Sequence, residues 1–236
     1  MKWPSLTIVM AAFNEEDALP TCAKQTLEFF NDHVQDGQLI IVNDGSHDGT
    51  AEVMTQLERQ DDRVVGVHLE QNSGMGAALL AGYARASKAW VAMMPADGQI
   101  DAYDFLNFFE VAPESDVVTS LYSNREYSMG RKVLSYGLRA LTVTIVGTRA
   151  RTEGSYMVRR AVLEGLGARS SSFLLNLEIP IRAKRSGYRV STVYMKVHER
   201  VAGQSKAVNA RRILHTFREL FKLRVQIETE RFKSDK

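Results

Sequence analysis

Unbroken apolar runs recur through the first half of the chain. They cover residues 6–11, 39–42, 64–69, 90–94 and 117–121. A run without polar alternation is typical of a strand that is buried on both faces. Each of the first four runs is followed by turn residues and a helix-like segment; we expect Asn14 to cap the first helix and the second to begin near Thr50. The alternation predicts an α/β fold, a mostly parallel central sheet flanked by helices.

Polar residues cluster where these strands end. Asn14 and Glu15 follow the first run, Asp44 follows the second, and residues 72–76 and 97–99 follow the third and fourth. In a parallel sheet, ligands bind at the carboxyl ends of the strands. The clusters therefore predict one functional site along this edge.

The second half has a less regular pattern. Residues 130–147 and 207–230 have amphipathic helical spacing, and residues 188–197 alternate like a strand. The last helix is expected to carry one apolar side, made of Ile213, Leu214, Phe217, Leu220 and Phe221. The simpler interpretation is that both helices pack on the core. The alternative is that they contact a membrane surface, where basic residues attract anionic headgroups. No repeat or linker divides the chain, so residues 1–236 are predicted to form a single domain.

Composition and charge exclude several classes of protein. Hydrophobic residues make up 44% and charged residues 25%, as in a soluble globular protein. No apolar run reaches the ~20 residues that span a bilayer. A single cysteine predicts a reducing compartment, the cytoplasm.

The charge is divided unevenly along the chain. Residues 1–116 hold 6 Lys and Arg against 19 Asp and Glu, and residues 117–236 hold 24 against 9. The acidic half suits a cation and a nucleobase, and the basic half suits phosphates or an anionic membrane surface. Without zinc-finger cysteines or basic stretches interleaved with aromatics, nucleic acid is not expected as a partner.

Three motifs are ambiguous on their own. Residues 44–49 resemble a calcium loop, but Thr55 stands where a glutamate is needed, so we interpret residues 46–48 as a turn. Asp44 differs because it directly follows a buried strand and could accept from a base N–H. Residues 72–78 match neither a dinucleotide fingerprint nor a P-loop, which leaves backbone approach to a ligand or tight helix packing. Asp97 and Gln99 form either a turn or a site for Mg²⁺ or Mn²⁺ that substrate phosphates complete.

Together these motifs resemble the family 2 glycosyltransferases. The likeness runs through residues 5–16, 43–50, 72–78 and 96–99, and continues through Arg131, Ser135, Glu178 and residues 198–206. Within the family, the chain is most similar to dolichol-phosphate mannosyltransferases and other polyprenyl-phosphate glycosyltransferases.

The resemblance implies a GT-A fold with a nucleotide-sugar-binding half, residues 1–121, and an acceptor-binding half, residues 122–236. It implies that Asp97 and Gln99 hold the metal ion, Mg²⁺ or Mn²⁺. The nucleotide-binding residues it implies are Ala11, Phe13, Glu15, Asp44, Asn72, Gly74, Gly76 and Asp97. The residues it implies for the acceptor and its phosphates are Arg131, Ser135, Arg200, Ser205 and Lys206.

Two positions depart from the family pattern. Pro95 stands where the metal motif usually begins with an aspartate, so metal binding rests on Asp97, Gln99 and the diphosphate. Glu153 precedes Gly154 in a segment where the family usually carries an aspartate.

The function implied is inverting transfer of a sugar from a UDP- or GDP-linked donor to a polyprenyl phosphate. Asp97, Arg200 and Glu178 are the expected catalytic residues. A phosphate acceptor is already an anion at neutral pH and needs no base; Glu178 is the candidate base if the acceptor is a hydroxyl, and otherwise orders a basic neighbour. The alternatives are transfer to a soluble or polysaccharide hydroxyl, or a non-catalytic nucleotide-sugar-binding protein. We expect a cytoplasmic protein that contacts the inner face of the membrane peripherally.

Overall fold

A computed structural model describes residues 2–124, 143, 147, 152–198, 218–226 and 228–229. The strands are β1 (Trp3–Ala12), β2 (Val34–Asn43), β3 (Val64–His68), β4 (Trp90–Met93), β5 (Val117–Tyr122), β6 (Tyr156–Arg159) and β7 (Val190–Met195). The helices are α1 (Leu19–His33), α2 (Thr50–Gln60), α3 (Met75–Tyr83), α4 (Leu106–Val111), α5 (Arg160–Gly165) and α6 (Leu175–Arg185). Short 3₁₀ turns cover Ala102–Phe105 and Ala112–Glu114, and residues 218–226 are helical.

The seven strands form one sheet in the order β3-β2-β1-β4-β6-β5-β7. β1 pairs in parallel with β2 and β4, β2 with β3, and β5 with β7. β6 alone runs antiparallel to its neighbours, β4 and β5. The predicted α/β fold with a mostly parallel sheet is confirmed; β6, which has only four residues, was not predicted.

Both faces of the sheet are buried, which explains why the strand runs are unbroken. Successive side chains of a strand point to opposite faces. On one face Ile8 and Met10 pack with α1 and α2, and on the other Val9 and Val42 pack with α3, α5 and α6. α3 approaches β1 so closely that a Cβ at Gly82 would lie 2.4 Å from Val9 Cγ1.

The C-terminal part of the chain differs in one respect from the expected pattern. Leu220 and Leu223 are buried, whereas Phe221 and Val225 are 60% and 61% exposed. Phe221 therefore does not share the buried side with Leu220, and this expectation was wrong. The expected strand at 188–197 is β7; the expected helix over 130–147 and residues 207–217 of the last helix lie almost entirely outside the described residues. No helix in the described part of the chain is both long and apolar enough to cross a bilayer.

Candidate functional site

The loops that follow β1 and β2 are interlocked by hydrogen bonds. Asn14, with a positive φ of 56°, donates its backbone N–H to Ser46 Oγ at 3.0 Å. Its side-chain Oδ1 accepts from the backbone N–H of His47 at 2.9 Å. Asn14 therefore does not cap α1, which begins at Leu19 without a side-chain cap. The left-handed backbone at Asn14 turns the chain toward the neighbouring loop, a conformation that asparagine tolerates better than most residues.

Glu16 and Asp48 strengthen the same contact. Glu16 donates its N–H to Asp48 Oδ2 at 3.2 Å, and its Oε2 accepts from Gly49 N at 2.7 Å. Asp48 also accepts from Thr50 N and Oγ1 at the start of α2. Burial opposes ionisation of Asp48, but hydrogen bonds from Thr50 and Glu16 outweigh it and lower its pKa. The interpretation of residues 46–48 as a turn is confirmed.

Three residues expected to line the nucleotide pocket lie at this junction. Ala11, Phe13 and Glu15 are each partly exposed at the carboxyl end of β1. The Phe13 ring meets the His47 ring edge-on, with centroids 6.2 Å apart. Glu15 donates its backbone N–H to Thr50 Oγ1 at 3.0 Å. Phe13 and Glu15 are thus both accessible to a ligand just after the carboxyl end of β1.

Asp44 ties the end of β2 to the loop that follows β3. The residue is only 4% exposed, and its carboxylate accepts from Ser73 N at 2.7 Å and Gly74 N at 3.0 Å. Its own N–H donates to Ala12 O at 2.9 Å. The carboxylate is therefore held in one orientation by two backbone donors. A carboxylate offers about four acceptor sites, so a base N–H could still be accepted.

The glycine turn, residues 72–76, is packed against the second half of the chain. A Cβ at Gly76 would lie 2.4 Å from the carbonyl oxygens of Ser170 and Ser172. Ala77 N donates to Ser171 O at 3.1 Å. Gly74 and Gly76, expected to bind nucleotide, instead meet this backbone, so the structure favours tight packing over ligand approach. Asn72 is exposed in the same turn.

The candidate metal motif directly follows β4. Asp97 is only 7% exposed, and its Oδ1 accepts from Gln99 N at 3.1 Å. The Gln99 carbonyl accepts from His198 N at 2.8 Å, which joins this motif to the end of the segment after β7. Carboxylate and amide oxygens are hard donors that suit Mg²⁺ or Mn²⁺. No group of three or more His, Cys, Asp or Glu that could hold a metal occurs among the described residues. The pair fits an ion whose remaining ligands are phosphate and water oxygens.

Negative charge is concentrated next to this motif. Cys22 is buried in α1, and its Sγ donates to Ala96 O at 3.4 Å. Burial, and then the charges of Asp97 and Glu15, raise the pKa of the Cys22 thiol to about 11. Asp97 and Glu15 therefore lie close enough to Cys22 to act on it electrostatically. Both carboxylates follow neighbouring parallel strands, β1 and β4, so they lie at the same edge of the sheet.

Glu178 is not placed to act as a general base. It is fully buried in α6, and its Oε1 accepts from Arg182 Nε at 2.6 Å. Its two oxygens also accept from the backbone N–H groups of Arg169 and Ser170. A buried carboxylate that is already paired cannot reach an acceptor hydroxyl, so its catalytic assignment is corrected. Of the two roles expected, the structure shows the contact with a basic neighbour.

Sequence reasoning missed two parts of the site. The serines at 170–172 have no periodic pattern, and only their adjacency to Glu178 in sequence signals a role. Asn124 bonds both the N–H and the carbonyl of Val197 at 2.9 Å and fixes the segment after β7. Glu153, the residue in the acceptor-side segment, donates its N–H to Ser120 O in β5. The expected phosphate-binding residues Arg131, Ser135, Arg200, Ser205 and Lys206 lie outside the described residues.

Comparison with known proteins decides the family. The family model described as glycosyl transferase family 2 matches residues 7–165. The chain belongs to glycosyl transferase family 2. The resemblance to this family that the motifs carry is therefore confirmed. Relatives that the chain matches carry names of the polyprenyl-phosphate kind.

Two relatives are undecaprenyl-phosphate 4-deoxy-4-formamido-L-arabinose transferases. The protein of Photorhabdus laumondii is 28% identical over 210 residues, which cover 85% of this chain and 62% of that protein. The protein of Serratia proteamaculans is 29% identical over 209 residues, with the same coverage. The chain thus spans about three fifths of the length of the curated relatives it matches.

Solved structures show the same fold. Glucosyl-3-phosphoglycerate synthase from Mycobacterium tuberculosis, in complex with Mn²⁺, UDP and glucosyl-3-phosphoglycerate, superposes with a TM-score of 0.65 at 19% identity, covering 93% of this chain and 78% of that one. Residues 1–349 of S. aureus TarS give a TM-score of 0.56 at 16% identity, covering 83% and 60%. The expected GT-A fold of family 2 is confirmed.

Proposed function

We propose that this family 2 member is an inverting glycosyltransferase that moves a sugar from a nucleotide diphosphate sugar to a polyprenyl phosphate. The observation that carries the proposal is the place of Asp97 and Gln99 directly after β4, at the same edge of the sheet as Glu15, which follows the parallel neighbour β1. The M. tuberculosis neighbour was solved with Mn²⁺ and UDP, and the relatives are named for an undecaprenyl-phosphate acceptor. Both support this assignment.

The donor half, residues 1–121, would bind the nucleotide at the interlocked loops. Ala11, Phe13 and Glu15 would line the nucleoside pocket, with Asn72 at its rim, and the fixed carboxylate of Asp44 would accept from the base. Asp97 and Gln99 would hold Mg²⁺ or Mn²⁺ through their side-chain oxygens. When bound, the ion supplies positive charge to the leaving diphosphate.

The acceptor half, residues 122–236, would bring a phosphate to the anomeric carbon. A phosphate monoester with a second pKa near ~6 is an anion at neutral pH, so it attacks without a general base. This fits the paired state of Glu178. We propose that Arg131, Ser135, Arg200, Ser205 and Lys206 bind the phosphates of donor and acceptor, and that Arg200 also stabilises the departing diphosphate. The protein then contributes position and charge neutralisation.

A membrane contact is proposed at the helical residues 218–226. Phe221 and Val225 are exposed one turn apart, and the exposed Arg218 and Lys222 flank them. Apolar side chains among basic residues suit the surface of an anionic bilayer at its cytoplasmic face. Replacing Phe221 and Val225 by serine should reduce sedimentation with anionic liposomes, whereas Tyr194→Ser, at an equally exposed site on β7, should not. Equal sedimentation of all three proteins would refute this contact.

The first experiment measures which nucleotide the protein binds. Thermal unfolding is followed with UDP, GDP or CDP, each with Mg²⁺, Mn²⁺ or EDTA. A nucleotide at 100 times its Kd adds ~2.7 kcal/mol to the free energy of unfolding. We expect one nucleotide to raise Tm only when the metal is present. Asp97→Asn should abolish this rise in Tm, whereas the control Asp62→Asn, at an exposed site, should keep the rise. Transfer of labelled sugar from that nucleotide to a polyprenyl phosphate then tests the acceptor.

A second candidate function is a binding protein without turnover. Pro95 at the start of the metal motif and Glu153 in the acceptor-side segment favour it. Nucleotide binding without sugar transfer to any acceptor would support this candidate. Transfer to a water-soluble hydroxyl, without polyprenyl phosphate, would instead identify a different acceptor class.

A further inference from the structure

A short loop between α5 and α6 contacts three other parts of the molecule. We name residues 169–172 the serine loop. The Ser171 carbonyl accepts from Ala77 N at the start of α3, at 3.1 Å. The Ser172 hydroxyl donates to the carboxylate of Glu219 in the helical residues 218–226. The serine loop therefore joins the glycine turn of the donor half to elements of the acceptor half.

Glu178 holds the serine loop from inside the protein. Its Oε1 accepts from Arg169 N at 3.2 Å and its Oε2 from Ser170 N at 2.8 Å. Arg182 donates from Nε to Glu178 Oε1 at 2.6 Å and from Nη1 to Leu166 O at 3.2 Å. Hydrogen bonds to an ionised acceptor are stronger than neutral ones, and burial strengthens them further. The backbone of the loop is thus fixed by a charge that is not itself exposed to a ligand.

The fixed loop in turn limits where the glycine turn can lie. Gly76 contacts the loop so closely that not even a Cβ fits between them. The same turn supplies the two N–H donors, from Ser73 and Gly74, that orient the carboxylate of Asp44. A shift of the serine loop would therefore move the donors that hold Asp44.

We infer that Glu178 is a positioning residue for the nucleotide site. Through the serine loop and the glycine turn it fixes the orientation of the Asp44 carboxylate, some distance from its own buried position. The inference rests on the proposed function, because it requires a nucleotide to bind at Asp44. It assigns to α6 of the acceptor half a role in donor affinity, separate from any role in the acceptor site.

Glu178→Gln tests this role directly. Both oxygens of Glu178 accept hydrogen bonds, but the amide of glutamine has only one acceptor oxygen. Its NH₂ group would therefore face a donor, either an N–H of the serine loop or the side chain of Arg182, and that donor would lose its acceptor. The Kd of the nucleotide that the wild type binds, UDP or GDP, is expected to rise about fivefold to tenfold, the effect of one misplaced hydrogen bond. KM for the nucleotide sugar should rise equally, while kcat stays within about twofold, because binding rather than chemistry is affected.

Two further variants separate positioning from stability. Glu178→Leu combined with Arg182→Met removes both buried charges, and such apolar replacements often leave stability unchanged. The double variant should still bind nucleotide weakly, and it carries the test if Glu178→Gln fails to fold. Asp116→Asn is the control: it disrupts the bonds of Asp116 to Arg189 and Arg159 at the opposite edge of the sheet, and should lower Tm without changing Kd.

A double-mutant cycle provides the decisive outcome. Gly76→Ala displaces the same contact from the other side, so combining it with Glu178→Gln should cost no more than the larger single effect. Additive effects, or wild-type Kd and KM in both Glu178 variants, would overturn the inference while the proposed function stands. If the wild type itself neither binds a nucleotide nor transfers sugar, the proposed function fails and the inference falls with it.

Discussion

Asp44→Asn is expected to destabilise the protein even when no nucleotide is present. The buried carboxylate accepts from Ser73 N at 2.7 Å and Gly74 N at 3.0 Å. An asparagine can accept only one of these bonds with its oxygen, and its NH₂ group then faces the other N–H. A hydrogen bond to a charged group contributes about 1.5–3 kcal/mol, and a buried donor left without a partner costs about 1–3 kcal/mol. We therefore expect the free energy of unfolding to fall by about 2–4 kcal/mol.

Denaturation in urea and thermal unfolding without ligand measure this loss. For a chain of this size each kcal/mol corresponds to about 2–4 °C in Tm, so the expected shift is about 5–15 °C. Asp62→Asn removes an exposed carboxylate and should leave Tm within about 2 °C, since surface substitutions usually change stability by less than about 0.5 kcal/mol. If Asp44→Asn unfolds at the wild-type temperature, Asp44 does not hold the glycine turn, and the argument for its fixed orientation is wrong.

Three other predictions concern packing and protonation. Gly82→Ala should lower the free energy of unfolding by about 1–3 kcal/mol, because the new Cβ would overlap a valine methyl of β1. Gly165→Ala has open space around the new Cβ and should be neutral or stabilising. Urea denaturation of both variants compares these effects. Cys22, whose pKa is raised to about 11, should not react with a thiol reagent at pH 8 until the protein is unfolded, and rapid labelling of the folded protein would contradict its burial. The hydrogen bond from Arg63 lowers the pKa of Asp61, so the pair stabilises the folded protein above the unfolded pKa near 3.8, and this stabilisation is lost as pH falls through the lower folded pKa. Asp61→Asn should therefore reduce Tm at pH 7 and have a diminishing effect below about pH 4. An equal effect on Tm at both pH values would count against the pair.

The strands of the first half could be predicted because their signal is local. Each buried strand is an apolar run, and the first four runs are each followed by a cluster of polar residues. β7 was also predicted, from the alternation in residues 188–197. β6 was missed because its four residues carry no pattern of their own; it is defined by its neighbours, β4 and β5. The predicted site residues that follow β1, β2 and β4 lie at one edge of the sheet because these strands are parallel neighbours, and their binding role stays a prediction.

The contacts within the site could not be predicted, because they join residues far apart in sequence. Asn14 has the residue type and the place of a helix cap, and propensity alone favours that role. In the folded protein it bonds Ser46 and His47 instead, because the ends of β1 and β2 lie side by side. Glu178 likewise has the type expected of a base, and only its burial with Arg182 reveals a positioning role.

The place of β6 has a consequence for the order in which the sheet assembles. The ribosome completes β5 before it adds residue 123. In the sheet of the described residues, however, β5 pairs only with β6 and β7, and β6 lies between β4 and β5. While the chain is being synthesised, β4 is an edge strand with unpaired backbone groups until Tyr156–Arg159 has been added. Such an open edge can pair with another chain. The sheet of the first half of the chain is thus completed by a strand from the second half. A fragment that ends at residue 122 would keep both an open β4 edge and a β5 without partners.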